Sequence, residues 1–174
     1  MRVRATIVIG SLRVRAIAAI WIGTALILPA VALAQPKYTG AKPPRQDLPY
    51  LVQGDTLVPL EVSSASQQDR KDDTLYTVPG DSSAAKTPLS SPVFVLDSAR
   101  IDATKLQLFR MDVKGGHREL VFRRKGKANL QPITLSVSVV SGTLYRLEVV
   151  PSLENGEYSL SPEGSNQVFS FTVY

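Results

Sequence analysis

The single histidine is the first residue to consider for catalysis or metal binding. His117 is the only histidine among the 174 residues, and it follows Gly115 and Gly116 in a pattern typical of a tight hairpin turn. A catalytic triad would need this imidazole beside a serine and an acid, and a zinc site would need further ligands. We therefore interpret His117 as a turn residue.

Two short motifs match parts of known catalytic sequences. Ser83 and Lys86 have the Ser-x-x-Lys spacing of penicillin-recognising enzymes, and residues 80–82 read Gly-Asp-Ser, as around the nucleophile of a secreted lipase family. The first family also needs Ser-Asp-Asn and Lys-Thr-Gly elements, which are absent from this sequence. The second needs an α/β fold and a suitably placed histidine. We interpret both matches as coincidental.

Metal binding and thiol chemistry have no support in the sequence. Asp69, Asp72 and Asp73 form an acidic cluster, but calcium loops place carboxylates at alternate positions around a glycine. A solvated loop is the simpler interpretation. The chain has no cysteine, which excludes a thiol nucleophile, cysteine-ligated zinc and iron–sulfur clusters. We therefore name no catalytic, cofactor-binding or metal-binding residue.

The best-defined charged feature is a basic cluster next to the predicted hairpin. Its members are Arg118, Arg123, Arg124, Lys125 and Lys127. They are candidate contacts for an anion such as an acidic polysaccharide or a lipid phosphate. The simpler alternative is a solvated strand edge, where Lys and Arg prevent sheet-to-sheet aggregation. Aromatic residues scarcely interleave the cluster, so we do not expect nucleic acid as a partner.

The first 34 residues predict a signal peptide. Four arginines in residues 1–15 precede an uncharged apolar run, and Ala32 and Ala34 supply the small residues that a signal peptidase accepts. We expect cleavage after Ala34, which leaves no membrane span and a periplasmic or extracellular protein. The alternative is an uncleaved anchor, because residues 16–34 are long enough to cross a bilayer.

Removing this leader changes how the charge of the chain is interpreted. The whole chain has a net charge of +5, but residues 1–34 contain four of its 20 basic residues and none of its 15 acidic ones. The remaining 140 residues are therefore close to +1, and the high isoelectric point does not indicate a nucleic-acid-binding surface. A chain of that length without disulfides must be stabilised by a hydrophobic core.

The N-terminal half of the remaining chain predicts few regular elements. Residues 35–47 are Pro-rich and polar and predict an extended, flexible arm. Residues 48–91 predict a β-hairpin, whose turn lies at 53–55, together with polar loops that include 63–73. Pro59 falls inside the second strand of that hairpin and therefore predicts an edge position.

Residues 92–174 predict a β-sandwich of about seven strands. Strand-like runs alternate with short turns, and Gly115 and Gly116 favour a hairpin between two of them. Tyr158, Leu160, Phe169, Phe171 and Val173 share the inward faces of the last two strands by their period of two. Residues 98–106 predict one helical turn with Asp102 as its cap.

One motif in this region resembles a feature of a known fold family. Leu153, Gly156 and Tyr158 at the entry to the penultimate strand resemble the tyrosine corner of immunoglobulin-like and fibronectin type III-like domains. The resemblance implies an immunoglobulin-like sandwich in which the Tyr158 ring is buried and its hydroxyl bonds nearby backbone. The Cys…Trp…Cys framework of antibody domains is missing, because the one tryptophan lies in the leader.

Together these patterns predict an exported, all-β protein with an N-terminal arm and an extra hairpin. We expect a non-catalytic interaction or structural module of the cell envelope, without a cofactor, whose partner is a protein or an envelope polysaccharide. The alternative is a carbohydrate-binding module or a small secreted hydrolase. Two facing carboxylates in a pocket, or aromatic rings on one sheet face, would favour that alternative.

Overall fold

The computed structural model describes residues 40–124 and 130–174, and within these ranges it is built from β-strands and one 3₁₀ turn. The residues described in these two ranges belong to one compact unit. The strands are β1 (Tyr50–Gln53), β2 (Thr56–Pro59), β3 (Glu61–Ser64), β4 (Ser66–Asp69), β5 (Asp73–Pro79), β6 (Lys86–Thr87), β7 (Val93–Asp97), β8 (Leu106–Lys114), β9 (His117–Arg123), β10 (Leu135–Ser141), β11 (Leu144–Val149), β12 (Gly156–Pro162) and β13 (Gln167–Val173).

The strands form two packed sheets, which confirms the predicted antiparallel β-sandwich. The first sheet has the order β10-β11-β7-β1-β2, and the second has the order β3-β13-β12-β8-β9-β5-β4. Every pairing is antiparallel except that of the two-residue strand β6 with β13. The seven strands expected between residues 92 and 174 are β7 to β13.

The main hydrophobic core lies between the first sheet and strands β8, β12 and β13. Tyr158 and Phe171 stack with their ring centroids 5.4 Å apart, and Phe94 from the first sheet meets Phe171 edge-on at 5.1 Å. The inward residues predicted for the last two strands all belong to this core. Alternation with a period of two therefore identified this face of the sheet correctly.

The second sheet rolls up, so that its two end strands are neighbours in the sequence. β3 and β4 lie at opposite ends of the strand order, yet only Ala65 separates them in the chain. The Ala65 amide still donates to Asn166 O beside β13, at 2.8 Å. We call the strands from β3 to β4 the rolled sheet. The main core covers one face of β12 and β13 and the interior of the roll covers the other, so both faces of these strands are buried.

Local signals explain the turns that join these strands. Gly54 adopts a φ of 59° in the two-residue turn between β1 and β2, and Pro59 lies in β2, an edge strand as predicted. Gly115 and Gly116 have φ values of 59° and 81° in the β8–β9 turn, a conformation that glycine adopts without steric cost. Asp102 caps the 3₁₀ turn Ala103–Lys105 by accepting from Thr104 N at 3.0 Å, which confirms the predicted cap.

One expectation about local structure was wrong. Residues 63–73 were expected to form a polar loop, but they contain the end of β3, all of β4 and the start of β5. The all-polar β4 is a strand because its backbone pairs with β5, and no hydrophobic alternation marks it. Ile133 is joined only by an isolated bridge to Leu108, and the regular strand begins at Leu135.

The described part of the predicted N-terminal arm, residues 40–47, is anchored to the first sheet. Asp47 N donates to Asp97 O at 2.9 Å, and Lys42 Nζ lies 3.0 Å from the buried Asp97 carboxylate. Asp47 itself has a φ of 60°, and its carboxylate accepts from Ser98 Oγ at 2.6 Å and from Arg100 Nε at 2.7 Å. Residues 1–39, which include the predicted signal peptide, lie outside the described residues.

Candidate functional site

The interior of the rolled sheet differs between its two ends. Glu157 and Thr172 lie opposite each other at one end of the β12–β13 pair, and they belong to a buried polar network. The other end is formed by the β12–β13 turn around Gly164, where a cleft opens.

Arg118 is the centre of the buried network. The side chain is 1% exposed, and its guanidinium donates to Glu61 Oε1 at 2.7 Å, to Pro79 O at 2.8 Å and to Gly80 O at 3.0 Å. Its Nη1 also lies 3.8 Å from a carboxylate oxygen of Glu157. A buried guanidinium is tolerated only when carboxylates and carbonyls surround it in this way. Arg118 thus ties β9 to β3, β5 and β12.

The second carboxylate of the network fastens the loop before β6 to the rolled sheet. Glu157 accepts from Ser83 N at 2.9 Å and from Thr172 Oγ1 at 2.7 Å. The Ser83 hydroxyl in turn donates to Ser170 O at 3.0 Å. Burial raises the pKa of Glu61, but hydrogen bonds from Arg118 and Ser83 outweigh it and hold that pKa below its usual value. Both acids therefore serve the fold.

The cleft at the other end has a volume of about 340 Å³. Its apolar floor and walls come from Ala65 and from inward-facing residues of β5, β8, β9 and β13. Its mouth comes from residues of β4, β5 and β8, the end of β12 and the β12–β13 turn. The floor and wall residues are Ala65, Tyr76, Val78, Phe109, Met111, Leu120, Phe122 and Val168, and the mouth residues are Gln67, Thr74, Gln107, Ser161, Pro162, Gly164, Ser165 and Asn166. The volume falls within the range of ligand pockets, which is about 300–1,000 Å³.

Two properties of the lining limit what the cleft accepts. None of its residues is charged, so an ion entering it would lose water without gaining a counter-ion. Aromatic rings form a continuous wall: Phe122 meets Tyr76 edge-on at 5.6 Å and Phe109 edge-on at 5.3 Å. The side-chain amides of Gln107 and Asn166 make no hydrogen bond within the described residues, so they remain available at the mouth.

Hydroxyl groups lie between the cleft and the Arg118 network. Ser63, Ser159 and Ser170 have buried hydroxyl oxygens without a hydrogen-bond partner in the described residues. Ser63 lies directly opposite Val168, and Ser159 lies directly opposite Phe109, and both partners line the cleft. The interior of the rolled sheet therefore changes from ionic to hydroxylated to apolar along its length.

Among the described members of the predicted basic cluster, Arg118 does not share the surface with Arg123 and Arg124. Arg118 is buried in the network described above, so the expectation that it contacts an external anion does not hold. Arg123 is exposed on the outer side of β9, and Arg124 forms an exposed ion pair with Asp69 at 2.7 Å. Lys125 and Lys127 lie outside the described residues.

The Tyr158 ring is buried and its hydroxyl bonds nearby backbone, as expected for these two contacts. The side chain is 1% exposed, and its hydroxyl donates to Glu154 O at 2.7 Å. Burial raises its pKa. Gly156 has a φ of 159°. A Cβ at this position would lie 3.2 Å from Arg110 Nε, a tight contact that the Arg110 side chain would have to relieve by shifting. Leu153 is buried in the main core at the start of this segment.

The other candidate residues occupy structural positions. His117 begins β9, and its Nε2 lies 3.2 Å from Glu119 Oε2. Ser83 is buried in a loop, and Lys86 is exposed in β6, so the Ser-x-x-Lys residues do not share a helix. In the described ranges, no three potential metal ligands come together.

Sequence reasoning missed the cleft because its residues come from distant segments with different patterns. The one available signal was the aromatic spacing in β5, β8 and β9, where Tyr76, Phe109 and Phe122 face inward. Ser159 and Ser170 had the pattern of a solvent-facing row, and only the rolling of the sheet buries them.

Comparison of the chain with protein-family models, with curated proteins and with solved structures gave no significant match. In the residues that the structure describes, no helix has the length and hydropathy needed to cross a membrane.

Proposed function

We propose that this protein is an exported, non-catalytic binding module of the bacterial envelope or the extracellular space, and that it holds a small uncharged molecule in the cleft of the rolled sheet. The observation that carries this proposal is the uncharged, aromatic-walled lining of a cleft of about 340 Å³. A mostly apolar concavity with a few polar groups at its mouth is the usual form of a small-molecule site.

The size and lining of the cleft define the class of ligand. An engineered apolar cavity of about 150 Å³ holds benzene. The cleft has about twice that volume, so it suits a ligand larger than benzene, one end of which would lie at the open mouth. Flat rings or a short aliphatic chain would contact Phe109, Phe122 and the adaptable Met111. A hydroxyl, ether or amide on the ligand would find partners in Gln107 and Asn166.

Fluorescence binding with a matched pair of dyes tests this proposal. N-phenyl-1-naphthylamine is uncharged, and 8-anilino-1-naphthalenesulfonate has the same ring skeleton with an added sulfonate. We expect the uncharged dye to bind with enhanced, blue-shifted emission and the sulfonate to bind at least about tenfold more weakly, because no cation lines the cleft. Equal affinity for both dyes would contradict the proposal.

A matched pair of variants locates the dye. Ala65 is buried and lines the cleft, whereas Ala84 is exposed outside it. Ala65→Leu should reduce binding of the uncharged dye at least about tenfold by occupying the cleft, and Ala84→Leu should leave binding unchanged. Circular dichroism of both variants confirms folding, and an increase in Tm of the unchanged protein at saturating dye gives an independent readout of binding.

Carbohydrate binding is the second candidate function. It is favoured by the three amide side chains of Gln67, Gln107 and Asn166, which lie at the mouth near the ring of Tyr76. Competition of neutral oligosaccharides against the uncharged dye separates the two candidates. Displacement by an oligosaccharide at millimolar concentration or below would favour the second.

A further inference from the structure

We infer that the free edge of β10 pairs with β10 of a second copy of this chain, forming a two-fold symmetric dimer with a continuous ten-stranded sheet. β10 is an end strand of the first sheet, and in the described part of the chain only β11 pairs with it. An unpaired edge presents a row of main-chain donors and acceptors that another strand can bind. This inference is independent of the cleft and its ligand.

Between Leu135 and Ser141, β10 carries neither the proline nor the charges found in the other end strands. Just before it, the N–H of Ile133 on the same edge donates to Leu108 O at 2.7 Å, so the free part of the edge begins at Leu135. The sequence of β10 is Leu-Ser-Val-Ser-Val-Val-Ser, and residues 130–145 contain no charged residue. By contrast, β2 contains Pro59, β3 contains Glu61, and β4 ends at Asp69 next to Arg70. Proline and charge are the usual devices that protect an edge strand from pairing. The uncharged β10 can therefore meet its own copy without like-charge repulsion.

The hydrogen bonds to β11 show which groups of β10 are free. Val150 N donates to Thr134 O at 3.1 Å, so the main-chain groups of Thr134 face β11. Successive residues of an antiparallel strand direct these groups to opposite sides. The N–H and C=O groups of Leu135, Val137 and Val139 therefore point away from β11, at the free edge. A bulge after Val139 ends this regular edge.

These three residues define one self-complementary register. A two-fold axis at Val137 places it opposite its own copy and places Leu135 opposite Val139 of the partner subunit. Each of the three pairs exchanges two main-chain hydrogen bonds, which gives about six, within the range of about 10 ± 5 for typical interfaces. In a symmetric dimer the same patch serves both subunits, and this register satisfies every free main-chain group between Leu135 and Val139.

The side chains agree with this register. Val139 is 67% exposed, the highest value among the exposed large hydrophobic residues of the described chain. In the dimer it would lie against Leu135 of the partner subunit, and apolar cross-strand pairs of this kind stabilise antiparallel sheets. On the opposite face, Ser136 and Ser138 would lie across from each other, a pair that can exchange a hydroxyl hydrogen bond.

Proline substitutions at two edges test the pairing. Val137→Pro removes an outward N–H from β10, and Leu57→Pro removes an outward N–H from β2, as the Leu60 N to Pro49 O bond of that hairpin shows. Both residues are half-buried against the main core, so their structural costs are matched. By sedimentation velocity of protein expressed from the full-length sequence, we expect a concentration-dependent dimer that Val137→Pro weakens at least about tenfold and Leu57→Pro leaves intact.

Single cysteines test the register even if a proline variant fails to fold, since the chain has no cysteine of its own. Paired residues in a hydrogen-bonded position have Cα atoms about 5.5 Å apart, which a disulfide can span. Val137→Cys should therefore give a covalent dimer under oxidation. Val139→Cys alone should not, because the two copies would lie four residues, about 13 Å, apart along the strands.

Mixing Leu135→Cys with Val139→Cys should restore the covalent link in a heterodimer. Efficient self-linking of Val139→Cys, or a monomer at all concentrations up to about 1 mM, would overturn the inference. We expect bound dye to leave the dissociation constant of the dimer unchanged, because the cleft and β10 involve different residues.

Discussion

The Tyr158 hydroxyl fixes the entry to β12 through one partly buried hydrogen bond. It donates to Glu154 O, and the Glu154 carboxylate forms an ion pair with Arg110, whose guanidinium also donates to Asn155 O at 3.1 Å. The three contacts hold the segment from Leu153 to Tyr158 in a single conformation. The Tyr158 hydroxyl bond is thus one of three contacts that join this segment to itself and to β8.

Removing the hydroxyl should have a small, purely structural effect. We expect Tyr158→Phe to lower the free energy of unfolding by about 1 kcal/mol, the usual contribution of one internal hydrogen bond, while dye binding in the cleft stays unchanged. Urea denaturation measures the first quantity. Tyr145→Phe is the control, because the Tyr145 hydroxyl makes no hydrogen bond in the described residues; an equal loss in both variants would contradict the assignment.

At the scale of single elements, the β8–β9 hairpin controls both ends of the rolled sheet. Its turn directs Arg118 into the buried network and Leu120 and Phe122 into the cleft, since these three residues alternate along β9. Gly116 has a φ of 81°, and a Cβ there would have no atom within 4 Å. Glycine is therefore needed at position 116 because of the backbone conformation, and not because a side chain there would clash with a neighbour.

Substitutions at Gly116 should separate these two causes. Gly116→Ala should lower the free energy of unfolding by about 1–2 kcal/mol, the cost of a left-handed conformation for a residue with a Cβ. Gly116→Asn should cost less, because asparagine tolerates this conformation better. Chemical denaturation measures both values, and a larger loss for asparagine than for alanine would show that packing, not backbone conformation, limits the site.

The predictability of each element followed from what stabilises it. β12 and β13 were recognisable because their apolar residues alternate against the main core. β4 has four exposed polar residues and is a strand only because its backbone pairs with that of β5. A pairing between separate segments of this kind leaves no hydrophobic pattern in the sequence of the strand itself. The burial of Arg118 was missed for the same kind of reason: a charged residue is normally exposed, and the Glu61 and Glu157 that pair with it are far away in the sequence.

At the scale of the whole molecule, buried carboxylates couple stability to pH. Hydrogen bonds hold the pKa of Asp97 below its ordinary value; the one from Thr143 has the larger effect and the one from Lys42 the smaller. The pKa of Glu61 is also lowered. A carboxylate whose pKa is depressed in the folded state stabilises the fold above its unfolded pKa, about 4. That stabilisation is lost as the pH falls through the folded-state pKa.

We therefore expect the Tm to be nearly constant between about pH 5 and 8 and to fall steadily below about pH 4. Asp97→Asn should lower the Tm at neutral pH and make its decrease in acid less steep, because one of the linked carboxylates is gone. Asp55→Asn, in the exposed β1–β2 turn, should leave the profile unchanged. Thermal melts from pH 2 to 8 measure these profiles, and identical acid slopes for Asp97→Asn and the unchanged protein would contradict the linkage.

The central position of β13 affects the order in which the chain can fold. β13 lies between β12 and β3. Residues 167–170 therefore pair with residues 61–64, about a hundred positions earlier in the chain. Contacts across about a hundred residues slow folding, because the loop must close before any pairing is gained. β3 can join the second sheet only once β13 has been made, because β13 is the strand with which it pairs. The rolled sheet, and with it the cleft, therefore cannot close before residues 167–173 have been synthesised.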